Sequence, residues 1–95
     1  EIRKFYEEGK KIAAICAAPS VFGQMGILKG REATCYPGME SKLTGAKVVQ
    51  TEVAVSDHVT TSRGVGTAIP FALSLVSQLL DQPTADALAK SIVYA

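Results

Sequence analysis

Ninety-five residues set the limit of one small domain, which buries only a modest share of its surface. The 47% hydrophobic and 20% charged composition is that of a globular chain, and a net charge of +1 without any basic run removes the electrostatic case for nucleic acid. The longest mostly apolar stretch, 68–80, is interrupted by Ser74, Ser77 and Gln78 and is too short for a membrane span; no signal peptide is visible.

In chain order, residues 1–9 follow a helical pattern, with Ile2, Phe5, Tyr6 and Gly9 on one face and Arg3, Lys4, Glu7 and Glu8 on the other. Gly9 suits a C-cap. Residues 11–15 form a short apolar run that reads as a buried parallel strand. Cys16 occupies a turn, and a helix is expected over 18–25, with Pro19 in its first turn. Gly26 and Gly30 bracket a loop. A strand over 32–35 ends at Tyr36-Pro37-Gly38, and one or two helical turns over 39–43 stop at Gly45. Residues 47–50 and 52–55 read as edge-type strand, Ser56-Asp57-His58 as a hairpin turn, and 59–62 as the return strand. A Gly-rich turn, Arg63-Gly64-Val65-Gly66-Thr67, leads into the most apolar helix, 67–80, whose side chains on nearly all faces predict burial on more than one side. Pro83 opens a last helix with Ala85, Leu88 and Ile92 inward.

Strands alternating with helices predict an α/β fold with a mostly parallel sheet. The chain opens inside a helical pattern with no Met and no capping residue, and so few strands leave an unpaired sheet edge. Both features lead us to expect part of a longer polypeptide.

Cys16 is the most informative residue. A cysteine on a tight strand-to-helix turn faces the helix N-terminus, where unpaired amides and the helix dipole favour the thiolate, the nucleophilic form. Its small neighbours Ala17 and Ala18 leave room for a substrate and a free backbone N–H for a developing oxyanion. The alternative is a small buried hydrophobe, a common use of free cysteine. Cys35 is a buried strand cysteine or a resolving thiol for Cys16. His58, the only histidine, reads as a solvated turn residue. Arg63 suits a substrate anion or an ion pair with a nearby acid. Gly64-Val65-Gly66 lacks the third glycine and the Lys-Ser/Thr pair of a phosphate loop, and its glycines serve a tight turn. Two cysteines and one histidine give neither a zinc spacing nor a disulfide framework, so no metal is expected and a cytoplasmic setting is the default.

Two stretches carry a resemblance. Ala13-Ala14-Ile15-Cys16-Ala17-Ala18-Pro19, followed by Gly26-Ile27-Leu28-Lys29-Gly30, is one; Thr60-Thr61-Ser62-Arg63-Gly64-Val65-Gly66-Thr67-Ala68, leading into Phe71-Ala72-Leu73, is the other. Together they resemble the ThiJ/PfpI superfamily, in the branch of the parkinsonism-associated protein deglycase. The resemblance runs over nearly all of the chain, 1–95, and matches the C-terminal half of a member. It implies a flavodoxin-like three-layer sandwich with a nucleophile elbow, completed by the N-terminal half of the same domain and usually assembled as a homodimer. Members are glyoxalases or deglycases acting on small 2-oxoaldehydes or glycated adducts without an added cofactor, and also oxidative-stress sensors or redox-regulated chaperones. Some carry a thiazole monophosphate biosynthesis assignment. By position, Cys16 would be the nucleophile and the Ala17 amide an oxyanion donor, with the loop at Ser62, Arg63 and Gly64 beside the elbow. The protease-like branch has a histidine where Ala17 stands, so peptidase activity is not implied. Tyr36 stands where the deglycase branch often has a histidine, and a phenol of pKa about 10 is a poor base at neutral pH. The acidic residue that contacts the thiol in this family comes from the N-terminal half.

Overall fold

A computed structural model describes residues 2–94. Helix α1 (Ile2–Glu7) leads to strand β1 (Ile12–Ile15) and helix α2 (Pro19–Gln24). Strand β2 (Glu32–Ala33), a 3-10 turn at Glu40–Lys42 and strand β3 (Lys47–Val48) follow, then β4 (Val53–Ser56) and β5 (Val59–Ser62). A second 3-10 turn, Val65–Thr67, runs into α3 (Ala68–Leu79), and α4 (Gln82–Ser91) closes the described chain.

The main sheet has the order β1-β5-β4, with β1 parallel and β4 antiparallel to β5. β2 and β3 form a separate parallel pair. Alternation along β5 builds the layers. Val59 joins the core of Ala14, Phe22, Ile27, Leu28, Ala33, Cys35 and Leu43 on the α2 side. On the opposite face Thr60 accepts a hydrogen bond from Gln78 of α3 at 2.9 Å. Gly23 lets α2 approach the 3-10 turn closely, since a Cβ there would collide with the Lys42 carbonyl and lie 2.9 Å from Leu43 Cα.

Several sequence expectations change. The 32–35 strand shortens to β2 because Thr34 N–H donates to Thr61 Oγ1 at 2.9 Å and Tyr36 N–H to Cys16 O at 2.7 Å, drawing this segment onto the main sheet. Residues 47–50 and 52–55 are not one edge: β3 pairs with β2, whereas β4 forms the hairpin with β5. The helical turn expected over 39–43 is present, as the 3-10 turn. Helix 1–9 is Ile2–Glu7 within the described residues.

The largest correction concerns α3. It holds no fully buried residue, and Leu79 stays 67% exposed, because the described residues packed on it, mainly the sheet and α4, leave much of its surface open. Of the three inward residues expected on α4, Ala85 alone is buried, while Leu88 and Ile92 remain exposed. No helix among the described residues is long and apolar enough to cross a membrane.

Candidate active site

Cys16 follows the last residue of β1 and adopts φ +67°, the left-handed region, at a cost of about 1–2 kcal/mol for a residue with a Cβ. Two hydrogen bonds hold it there. Its N–H donates to Ser62 O at 3.2 Å, and its carbonyl accepts from Tyr36 N–H at 2.7 Å. The end of β5 and the segment after β2 thus clamp the elbow from two sides. The chain then turns through Ala17 and Ala18 into α2, with Pro19 in the first helical turn. Ala17 O accepts both the N–H and the hydroxyl of Ser20, while Ala17 N–H has no partner among the described residues. A strained, half-buried thiol beside a free amide is the arrangement of a nucleophile elbow.

Cys16 opens into an exposed pocket of about 530 Å³, lined also by Tyr36, Pro37, Arg63, Gly64, Val65, Gly66 and Thr67. The structure therefore brings Cys16, Tyr36 and Arg63 to one cavity. The Tyr36 ring lies over Gly64, whose Cβ position would be 3.8 Å from the ring edge, and the side chain is half exposed. Arg63 is engaged elsewhere. Its Nε donates to Cys35 O and its Nη1 to Gln50 O, each at 3.4 Å, and Nη2 lies 3.8 Å from a Glu40 carboxylate oxygen. This guanidinium ties the loops around the pocket and offers little free charge to a substrate.

Cys35 is fully buried in the core and donates weakly to Tyr36 O at 3.4 Å. Burial pushes its thiol up, and the Glu40 carboxylate adds to that, against a smaller opposing effect of Arg63. His58 departs from its expected solvated position. It stacks on Tyr6 with ring centres 5.0 Å apart, and its side chain is only 16% exposed. It sits at the far end of the β4–β5 hairpin from Cys16, because the start of β5 faces α1. Among the described residues no group of three or more His, Cys, Asp or Glu is placed to hold a metal ion.

The loop at Ser62 was expected beside the elbow, but the role of Thr67 was passed over. Ser62 is fully buried beneath the elbow, and its hydroxyl donates to Glu52 O or to Thr67 Oγ1. Thr67 Oγ1 accepts from the N–H groups of Arg63 and Gly64. A threonine three residues after a glycine, at the start of a helical run, was the available signal.

The DJ-1/PfpI family model matches residues 1–78. "Protein DJ-1 homolog B" of Arabidopsis thaliana is 42% identical over 86 residues, covering 88% of this chain and 20% of that protein. "Glutathione-independent glyoxalase DJR-1.2" of Caenorhabditis elegans is 38% identical over 91 residues, covering 94% of this chain and 48% of that protein. The solved structure of oxidized Toxoplasma gondii DJ-1 superposes with a TM-score of 0.92 at 35% identity, over 99% of this chain and 52% of that one. The chain thus spans between a fifth and about half the length of these relatives. Its α/β architecture is flavodoxin-like. Motif, elbow and superposition agree, and the chain belongs to the DJ-1/PfpI family.

Proposed function

We propose that this segment carries the nucleophile of a cysteine-dependent glyoxalase or deglycase acting on 2-oxoaldehydes or their adducts. The observation that carries this is Cys16 held at φ +67° with its thiol opening into the 530 Å³ pocket. The Caenorhabditis elegans relative is named a glutathione-independent glyoxalase, in keeping with a thiol supplied by the protein itself.

The Cys16 thiolate adds to the aldehyde carbon, forming a C–S bond and an alkoxide that takes up a proton to give a hemithioacetal. The Ala17 N–H faces the developing oxyanion. A base removes the proton from the former aldehyde carbon, and a proton returns to the neighbouring carbonyl carbon, leaving a thioester of a 2-hydroxy acid. Water cleaves the thioester, releases the acid and restores the thiol. Tyr36 lines the wall of the same pocket, and its hydroxyl is a potential hydrogen-bond donor there. Glu40, the carboxylate near this wall, faces Arg63. The resemblance implies that the base is the acidic residue of the N-terminal half of a full-length member, with Tyr36 assisting. In this reading that half completes the domain, the assembly is a homodimer, the setting is cytoplasmic and no cofactor takes part.

Methylglyoxal consumption with lactate detection, on the full-length polypeptide containing this segment, tests the reading. Cys16→Ser should lower turnover by at least about 10³-fold. The 95-residue chain alone should show little turnover. Retained activity in Cys16→Ser would overturn the assignment. Absent turnover with Cys16 readily oxidised by peroxide would favour a redox sensor or chaperone instead.

A further inference from the structure

We propose that Thr67 is a positioning residue for the Cys16 site, a role that rests on the reading of Cys16 as nucleophile. One hydroxyl organises the whole turn after β5. Thr67 Oγ1 accepts from Arg63 N–H at 3.2 Å and from Gly64 N–H at 3.0 Å. It lies 2.7 Å from Ser62 Oγ and donates to Gly64 O at 3.0 Å when its proton points that way.

These contacts lead directly to the elbow. The carbonyl of Ser62 accepts the Cys16 N–H, so the backbone that Thr67 ties down also anchors the strained cysteine. Gly64, Val65, Gly66 and Thr67 itself line the pocket into which Cys16 opens. Two glycines in this turn give it little intrinsic stiffness, and no regular strand or helix includes Arg63 or Gly64. The threonine hydroxyl supplies the order that the backbone lacks. Without it, two amides lose their acceptor and the wall opposite Tyr36 is free to shift. A misplacement of about 1 Å can reduce a positioned reaction by as much as about 10²-fold.

The test uses the full-length protein and three variants. Thr67→Val preserves shape and removes every hydroxyl contact; kcat should fall about tenfold with KM within about threefold of the parent. Thr67→Ser keeps the hydroxyl and should restore kcat. Thr60→Val is the control: it removes a fully buried hydroxyl from β5 itself, the one that accepts from Gln78. It should lower melting temperature without a comparable fall in kcat. An independent readout needs no variant. In the parent protein, hydrogen exchange should find the Arg63 and Gly64 amides at least about tenfold more protected than those of Val65 and Gly66.

Parental kcat in Thr67→Val, an equal fall in Thr60→Val, or unprotected Arg63 and Gly64 amides would each overturn the proposal. Exchange decides the matter if Thr67→Val does not fold. A parent protein without Cys16-dependent turnover would instead overturn the underlying reading, a result separate from any difference among the variants.

Discussion

The two ends of β5 hold similar polar groups and use them differently. At its start, Arg31 Nη2 donates to the Tyr6 hydroxyl at 2.9 Å, Nη1 to Ser56 O and Nε to Ile27 O, each at 3.2 Å. The same Tyr6 ring stacks on His58, whose Nε2 lies 3.3 Å from Tyr6 O. Every group there has a partner within the fold. At the other end, polar groups also converge, but on backbone: Ser62, Thr67 and Arg63 hold loops, while the Cys16 thiol and the Ala17 amide are left over. The first end has the residue types of an acid–base site, yet the second has the unused valence. The proposed chemistry falls where, among the described residues, the scaffold leaves a group unsatisfied.

The contrast breaks most sharply at the thiols. Iodoacetamide should alkylate native Cys16 at least about a hundredfold faster than buried Cys35, by mass spectrometry of quenched samples. Comparable rates would remove the distinction between an open site and a closed core. Arg31→Ala comes next. It should destabilise by about 2 kcal/mol and lower the melting temperature by about 10 °C, with Cys16 alkylation unchanged. His58→Ala should cost about 1 kcal/mol through the lost stack, again without effect on Cys16. A change in Cys16 reactivity in either variant would mean that the two ends are coupled.

Two pH effects sharpen the comparison. Because burial raises the folded-state pKa of Cys35, its contribution to stability is intact below the ordinary thiol value of about 8.5. That contribution is lost as pH rises from there towards the folded value. Urea titrations should find this alkaline slope reduced in Cys35→Ala. The smallest effect lies away from both ends, at the α4 N-cap. The Thr84 side chain, and then the Thr84 N–H that donates to Asp81 at 2.7 Å, lower the Asp81 pKa. Its contribution is present above about pH 3.9 and fades as pH falls through the lower folded value. Asp81→Asn should flatten that acidic limb.

What the sequence made legible was local. The apolar run before Cys16, the small residues after it, the two-strand hairpin and the Gly-rich turn into α3 are each encoded within a few neighbouring residues. What it hid depended on distant partners. Pairing of β3 with β2 rather than β4 is set by contacts between segments some fifteen residues apart in sequence. His58 looked solvated because its partner, Tyr6, is 52 positions away. The apolar helix α3 carries a real signal for burial, but the described residues cover only part of its surface. Cys16 could be found because its neighbours are small. Thr67 was missed because an exposed-looking threonine at a helix start has an ordinary capping use.

The left-handed backbone at Cys16 has a consequence for how this fold tolerates change. Glycine is at ease at φ +67°, so Cys16→Gly relieves a conformational penalty of about 1–2 kcal/mol, offset by about 0.5–1 kcal/mol of extra freedom in the unfolded chain. The mutant lacking its thiol would be at least as sturdy as the parent. Durability and the proposed reactivity thus pull in opposite directions at a single α-carbon, and a screen for heat resistance alone would tend to discard the thiol proposed as the nucleophile.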